Sequence, residues 1–178
     1  MMLSRKLLIL ILLALCPVLA LAHSPWGQYQ VYRQKHLLVL STRDDLQSYP
    51  YSKKLVEALN KSVPESKARP ARAINLERAY NLLRTNQFQF ALLSKTNVEM
   101  MRNASDQFQG KNKVDLKTIY EFGDLEFVVQ PGFPEDLVAV VAHGVLESLE
   151  SLPEAKPTEE VIANNMLHAG ARKALTAN

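Results

Sequence analysis

The chain has 178 residues, a net charge of +3 and a single cysteine. One cysteine excludes an internal disulfide framework, and this length is enough for one domain with a substantial core. The positive and negative charges are nearly balanced, so composition does not favour a nucleic-acid partner, and we expect none.

Residues 1–22 have the pattern of a secretory signal peptide. Arg5 and Lys6 precede an apolar run at residues 7–15, and Ala20-Leu21-Ala22 is a small-residue cleavage signature. The sequence therefore predicts export to the periplasm, with cleavage near Ala22.

Two alternatives to cleavage are a retained membrane anchor and a lipid-modified cysteine. The apolar run is short for a bilayer span, and Pro17 interrupts the segment after it. Leu15 stands before Cys16, where a lipoprotein signal requires a small residue. Removal of residues 1–22 is thus the preferred interpretation, and it lowers the net charge by two and removes the only cysteine.

Residues 23–36 read as an N-terminal arm that begins with His23 after cleavage. A mature N-terminal histidine offers its α-amine and its imidazole to a copper ion. The other histidines, His36, His143 and His168, show no recognisable metal spacing. His23 is therefore only a low-ranking metal candidate, and we expect no resident metal or cofactor.

Residues 73–97 organise the rest of the chain. Asn75 is a good N-cap for a helix whose apolar residues recur at helical spacing through Leu83. A turn comes next, and then an apolar run at residues 88–93, which is typical of a strand covered on both faces.

The preceding residues predict two more strands and a helix. Residues 37–41 are a continuous apolar strand, Pro50 starts a helix, and residues 66–73 form a weaker strand in which Pro70 suits a sheet edge. Strands that alternate with helices predict an α/β fold, a three-layer doubly wound and mostly parallel sheet.

The C-terminal half predicts two further strands and two helices. Residues 116–122 and 125–130 are apolar, and Gly123-Asp124 between them favours a tight hairpin. Residues 137–149 are apolar enough for a largely buried helix. Thr158 is expected to cap a last helix that ends near Gly170 and leaves Arg172 and Lys173 in a tail. We divide the chain into a signal peptide (1–22), the arm (23–36), one α/β domain (37–150) and a linker with a C-terminal helix that packs on the domain (151–178).

Catalytic signatures do not appear in the sequence. It contains no nucleophile elbow, Gly-rich phosphate loop or histidine pair at metal spacing. Asp44 and Asp45 are adjacent carboxylates, but this pair alone is a weak indication of acid-base chemistry. We therefore expect a protein that is not an enzyme.

A ligand site is expected at the carboxyl edge of the sheet, where helix N-termini present free amides to an anion. Hydroxyl, amide and cationic side chains come after the first three strands there and suit a carboxylate or phosphate; ordinary caps and turns explain the same residues equally well. These candidates are Ser41, Thr42, Arg43, Asn75, Ser94, Lys95, Thr96 and Asn97.

Three segments resemble the periplasmic receptors of TRAP transporters of the TAXI family, which have a periplasmic binding protein type 2-like fold. Asn75-Leu76 with Leu83, Phe88 and the strand after it is similar to the family's capped helix, turn and buried strand. The segment DLEFVVQPGFPEDLVAVVAHGVLESL is similar to a late strand and helix, and residues 167–172 resemble the closing motif. The resemblance implies a solute-binding role in transport and adds Tyr49, which matches the aromatic of the family's first loop.

Two departures from the family change the expected function. The family's glycine-rich first loop is replaced here by Asp44-Asp45-Leu46-Gln47-Ser48-Tyr49, and the chain has room for one lobe where receptors have two. A single lobe leaves a solute half exposed. We therefore expect either weak binding of a small carboxylate-like anion or an accessory role in which a periplasmic or membrane protein, such as a transport or redox component, docks on the lobe. A homodimer would restore the cleft.

Overall fold

A five-stranded mixed sheet lies at the centre of residues 35–177, the part of the chain that this computed structural model describes. The strand order is β2-β1-β3-β5-β4. Strands β1, β2 and β3 are parallel to one another, and β5 is antiparallel to both of its neighbours. The strands are β1 (Leu38–Thr42), β2 (Arg69–Ala73), β3 (Phe90–Ser94), β4 (Lys117–Phe122) and β5 (Leu125–Val129).

Helices flank the sheet on both faces. They are α1 (Ser48–Ser62), α2 (Leu76–Arg84), α3 (Lys95–Asn103), α4 (Glu135–Leu146), α5 (Thr158–Ile162) and α6 (Ala169–Thr176), with short 3-10 turns at Pro64–Ser66, Asp106–Phe108 and Leu149–Ser151. No helix within residues 35–177 combines the length and apolar character that a bilayer crossing requires. The expected α/β class is confirmed, but the sheet is mixed, with two parallel and two antiparallel strand pairs where a mostly parallel sheet was expected.

Two hydrophobic cores fill the spaces between the sheet and its two helical layers. Successive strand residues alternate between the cores: Phe90 and Leu92 belong to one, and Ala91 and Leu93 to the other. Helices α1, α4 and α6 contribute to the first core, whereas α2 and α3 contribute to the second. This arrangement explains why the run at β3 is apolar throughout.

The predicted hairpin is confirmed, since β4 and β5 pair antiparallel across Gly123-Asp124. The edge position of β2 is confirmed as well. The backbone N–H of Arg69 donates to Leu37, and the carbonyl of Ala73 accepts from Arg43, so these β2 residues face β1. Pro70 and Arg72 alternate with these residues, so their backbone groups point away from β1. The N–H that Pro70 lacks would have no strand partner on that side.

The predicted last helix is wrong, because the chain forms two helices, α5 and α6, where one was expected. Residues 166–168 leave the helical path and pair with β4: Thr118 N–H donates to Met166 and His168 N–H donates to Thr118. His168 Nδ1 then accepts from Gly170 N–H and caps α6. These tertiary bonds end α5 early and place Gly170 inside the second helix.

The remaining differences also have local causes. Arg172 does not lie in a loose tail, because its guanidinium donates to the carbonyls of Ile162 and Asn164. Helix α1 starts at Ser48, before the expected Pro50. Helix α4 is buried on one side only, since Leu137 and Val140 are each 49% exposed.

Candidate functional site

The carboxyl edge of the sheet brings together the loops that come after β1, β2 and β3. Parallel pairing sets Thr42 beside Ala73, and the turn between β4 and β5 joins the same edge because Ser94 lies opposite Leu125. The directions of these strands therefore bring the loops that contain the candidate residues to one edge of the sheet, as expected.

Asp45 fixes the loop after β1 from within. The residue is 9% exposed, and its Oδ2 accepts a 2.5 Å hydrogen bond from the backbone N–H of Ser94 at the start of α3. Its Oδ1 accepts from the N–H groups of Gln47 and Ser48, which precede and begin α1. One carboxylate thus satisfies amides at the start of two helices, where negative charge is favoured.

Asp44 does the same for the helix after β2. Its Oδ2 accepts a 2.6 Å hydrogen bond from the N–H of Leu76, the first residue of α2. Asn75 caps this helix as expected, because its side-chain oxygen accepts from Arg78 N–H at 2.8 Å. The backbone amides that were expected to receive a solute anion at these helix starts are therefore bonded to the chain's own carboxylates.

Several candidate hydroxyl groups are used inside the fold. Ser41 and Thr42 are fully buried; the Ser41 hydroxyl donates to the carbonyl of Ala71, and Thr42 Oγ1 accepts from Asp44 N–H. The Ser94 hydroxyl accepts from Asn97 N–H and caps α3. Among the candidates that come after Ser94, Thr96 is exposed and Asn97 is half-buried.

The two candidate cations differ in their surroundings. Lys95 Nζ lies 2.7 Å from Glu121 Oε2, which also binds Lys156 Nζ at 3.0 Å. Arg43 is exposed, and within residues 35–177 it forms no ion pair. Tyr49 lies beneath two other cations, with Arg72 Cζ at 4.7 Å and Lys53 Nζ at 5.3 Å from its ring centroid.

Glu121 is held ionised despite its burial. Burial alone would raise the pKa of this carboxyl, but hydrogen bonds from Lys95, Asn164 and Lys156 outweigh it and lower the pKa to about 2. Asn164 Nδ2 donates to Glu121 Oε1 at 2.8 Å, and this amide also reaches Thr118. The cluster ties β4 to α3 and to the chain after α5.

A second buried carboxylate extends this polar network. Glu126 on β5 accepts from both terminal nitrogens of Arg102 at 3.2 and 2.7 Å, and from the Thr118 hydroxyl at 2.5 Å. The Arg102 and Glu126 side chains are 8% and 4% exposed. Arg102 also donates to the Leu116 carbonyl and to Thr118 Oγ1, so the network is a structural ion pair that fastens α3 to the sheet.

Sequence reasoning missed Glu121 and Glu126, although each interrupts an apolar strand. A carboxylate in such a strand requires a buried partner, and that requirement is a usable signal. The cationic partner of Glu126 is Arg102, 24 residues earlier in the chain, and that of Glu121 is Lys95, 26 residues earlier. Spacing rules for short motifs do not reach that far.

A separate open groove of about 720 Å³ lies among α4, α5 and α6 and contains none of the nine candidate residues. Its lining includes His143 and Glu147, whose Nε2 and Oε1 atoms are 3.3 Å apart, and Glu159. Both members of the His143 pair are more than half exposed.

No group of three histidine, cysteine or acidic residues suited to a metal ion occurs within residues 35–177. His23, the low-ranking copper candidate, lies outside the described residues. Neither models of known protein families nor curated protein sequences give a match to this chain. The functional assignment therefore depends on the geometry of the residues.

Proposed function

We propose that this protein is a periplasmic, non-catalytic accessory protein built on one lobe of a binding-protein-like fold, and that it acts by contact with a protein component of a transport or redox complex. The resemblance to TAXI-type receptors supplies the binding-protein lobe in this proposal. The mixed α/β sheet with loops gathered at one carboxyl edge is compatible with such a lobe.

The proposal depends on one observation: the backbone amides that could bind a solute anion at the starts of α2 and α3 are bonded to the chain's own aspartates. Asp44 accepts from Leu76 N–H at 2.6 Å, and Asp45 accepts from Ser94 N–H at 2.5 Å. A solute carboxylate would have to displace these aspartates and would meet their charge at short range. The geometry therefore favours protein contact over weak binding of a small anion, the other function that a single lobe suggests.

Calorimetric titration with acetate, succinate and phosphate tests this choice. We expect no saturable heat from the wild-type protein at anion concentrations up to ~10 mM. Asp44→Ala exposes the Leu76 amide and should permit weak binding, with a Kd in the range of roughly 1–10 mM. Asp124→Ala is the matched control, because Asp124 is an exposed aspartate at the same edge and its backbone carbonyl, which accepts from Lys95 N–H, is kept.

Saturable binding of any of these anions by the wild-type protein would contradict the proposal. Light scattering adds an independent measurement, for which we expect a monomer. A dimer that forms only in the presence of a carboxylate would indicate a restored two-lobed cleft and thereby favour a solute receptor.

A further inference from the structure

Two large apolar side chains protrude from the carboxyl edge. Leu46 is 80% exposed in the loop after β1, and Ile74 is 64% exposed in the loop after β2. The two loops are joined directly, by Arg43 N–H to Ala73 carbonyl at 3.1 Å and by Leu76 N–H to Asp44 Oδ2 at 2.6 Å. The apolar groups are thus carried by backbone that is already ordered, which lowers the entropy cost of docking a partner.

Three exposed cations lie on or beside the loops and the helix start that come after β1 and β2. Arg72 and Lys53 stack on Tyr49, and Arg43 precedes the two aspartates. Within residues 35–177 none of these cations forms an ion pair. The nearby carboxylates of Asp44 and Asp45 are bonded to backbone amides. The exposed cations therefore remain available to carboxylates from outside the chain.

We infer, on the basis of the proposed function, that this surface docks an acidic segment of a partner protein that also carries apolar side chains. We call the surface the edge patch; it consists of Arg43, Leu46, Tyr49, Lys53, Arg72 and Ile74. Apolar contacts would supply the affinity, and the cations would set orientation and the rate of association.

Charge distinguishes this partner from the other occupants. A second copy of the chain, paired symmetrically through the same surface, would set a surface that carries Arg43, Lys53 and Arg72 against an equally positive one. An anionic membrane offers phosphates that Arg72, held on the Tyr49 ring, can also bind, so vesicles are tested as a competing occupant. An acidic protein segment satisfies both the cations and the two apolar groups.

Fluorescence anisotropy with a labelled peptide that alternates glutamate with leucine and phenylalanine tests the inference. We expect saturable binding that weakens as salt is raised. A peptide with lysine in place of glutamate, and one with serine in place of the apolar residues, should bind at least roughly tenfold more weakly. NMR signals that move on titration should come from the edge patch.

Matched variants locate the binding surface. Leu46→Ser should weaken peptide binding by roughly tenfold, whereas Leu137→Ser, which alters an exposed leucine on α4, should not. Arg43→Gln should reduce both the affinity and its salt dependence, whereas Arg84→Gln, at an exposed arginine in the last turn of α2, should change neither.

Several results would overturn the inference. In the peptide experiments these are equal binding of the acidic and basic peptides, and binding that Leu46→Ser and Arg43→Gln leave unchanged. Tighter binding to phosphatidylglycerol vesicles than to the acidic peptide would indicate a membrane surface instead. A dimer that Leu46→Ser dissociates would indicate a second copy of the chain. Failure of the proposed function has a different signature, namely calorimetric anion binding by the wild-type protein, so the two outcomes can be separated.

Discussion

Asp45 joins three segments of the chain through one side chain. Its carboxylate accepts from the N–H groups of Ser94, Gln47 and Ser48, and it is almost buried. We expect Asp45→Ala to lower the free energy of unfolding by about 2–3 kcal/mol, because buried amides lose a charged acceptor. Urea unfolding measures this loss. Asp124→Ala, at an exposed aspartate, should change stability by less than about 0.5 kcal/mol, and an equal cost for both variants would contradict this role.

Glu121 gives the protein a defined response to acid. Its pKa of about 2 in the folded chain is below the ordinary value of 4.5, so its contribution to stability is fully present above pH 4.5 and is lost as the pH falls toward 2. Urea unfolding between about pH 6 and pH 3 should show that the wild type loses roughly 2 kcal/mol more than Glu121→Gln. Parallel pH profiles for the two proteins would contradict this prediction.

Helices α4 and α6 pack in backbone contact at Gly170. A Cβ added there would collide with the carbonyl oxygen of Glu135, which is backbone and cannot turn aside. We expect Gly170→Ala to destabilise the protein by about 2–4 kcal/mol through separation of the two helices. Thermal unfolding measures the effect. Gly132→Ala is the control, since a Cβ there meets nothing within 4 Å, and it should leave the melting temperature nearly unchanged.

Local signals in the sequence predicted those elements whose structure is determined by interactions between residues close in the chain. Asn75 caps α2 and the Gly123-Asp124 reversal forms a hairpin, because each depends on residues close in the chain. Pro70 indicated an edge strand because it lacks the N–H that a central strand needs. The break between α5 and α6 was not predictable in this way. It depends on β4, where Thr118 pairs with residues 166–168 across more than 40 positions of sequence.

The candidate site shows the same division. The sequence indicated that polar residues would come after β1, β2 and β3, but it could not show that Asp44 and Asp45 reach the amides of Leu76 and Ser94. Those distances depend on the strand order, which places β1 between β2 and β3 and so brings its loop beside both helix starts.

At the scale of the whole molecule, export is the proposal that can be tested most directly. Mass spectrometry of the periplasmic fraction should find a chain that starts at His23, because the small-residue signature at 20–22 directs cleavage there. A chain that retains residues 1–22 in the membrane fraction would contradict this prediction. Copper titration of the cleaved protein would remove the His23 candidate if no binding tighter than about 1 μM is found.

Within residues 35–177, features at both margins of the sheet oppose strand addition from outside. At the β2 margin, Pro70 lacks one of the backbone N–H groups that would point away from β1. At the β4 margin, residues 155 and 166–168 already pair with the strand. Chains that cannot lengthen one another's sheets do not polymerise through their strands. Association of copies through these two margins is therefore disfavoured, and any contact between copies has to use side chains on another surface.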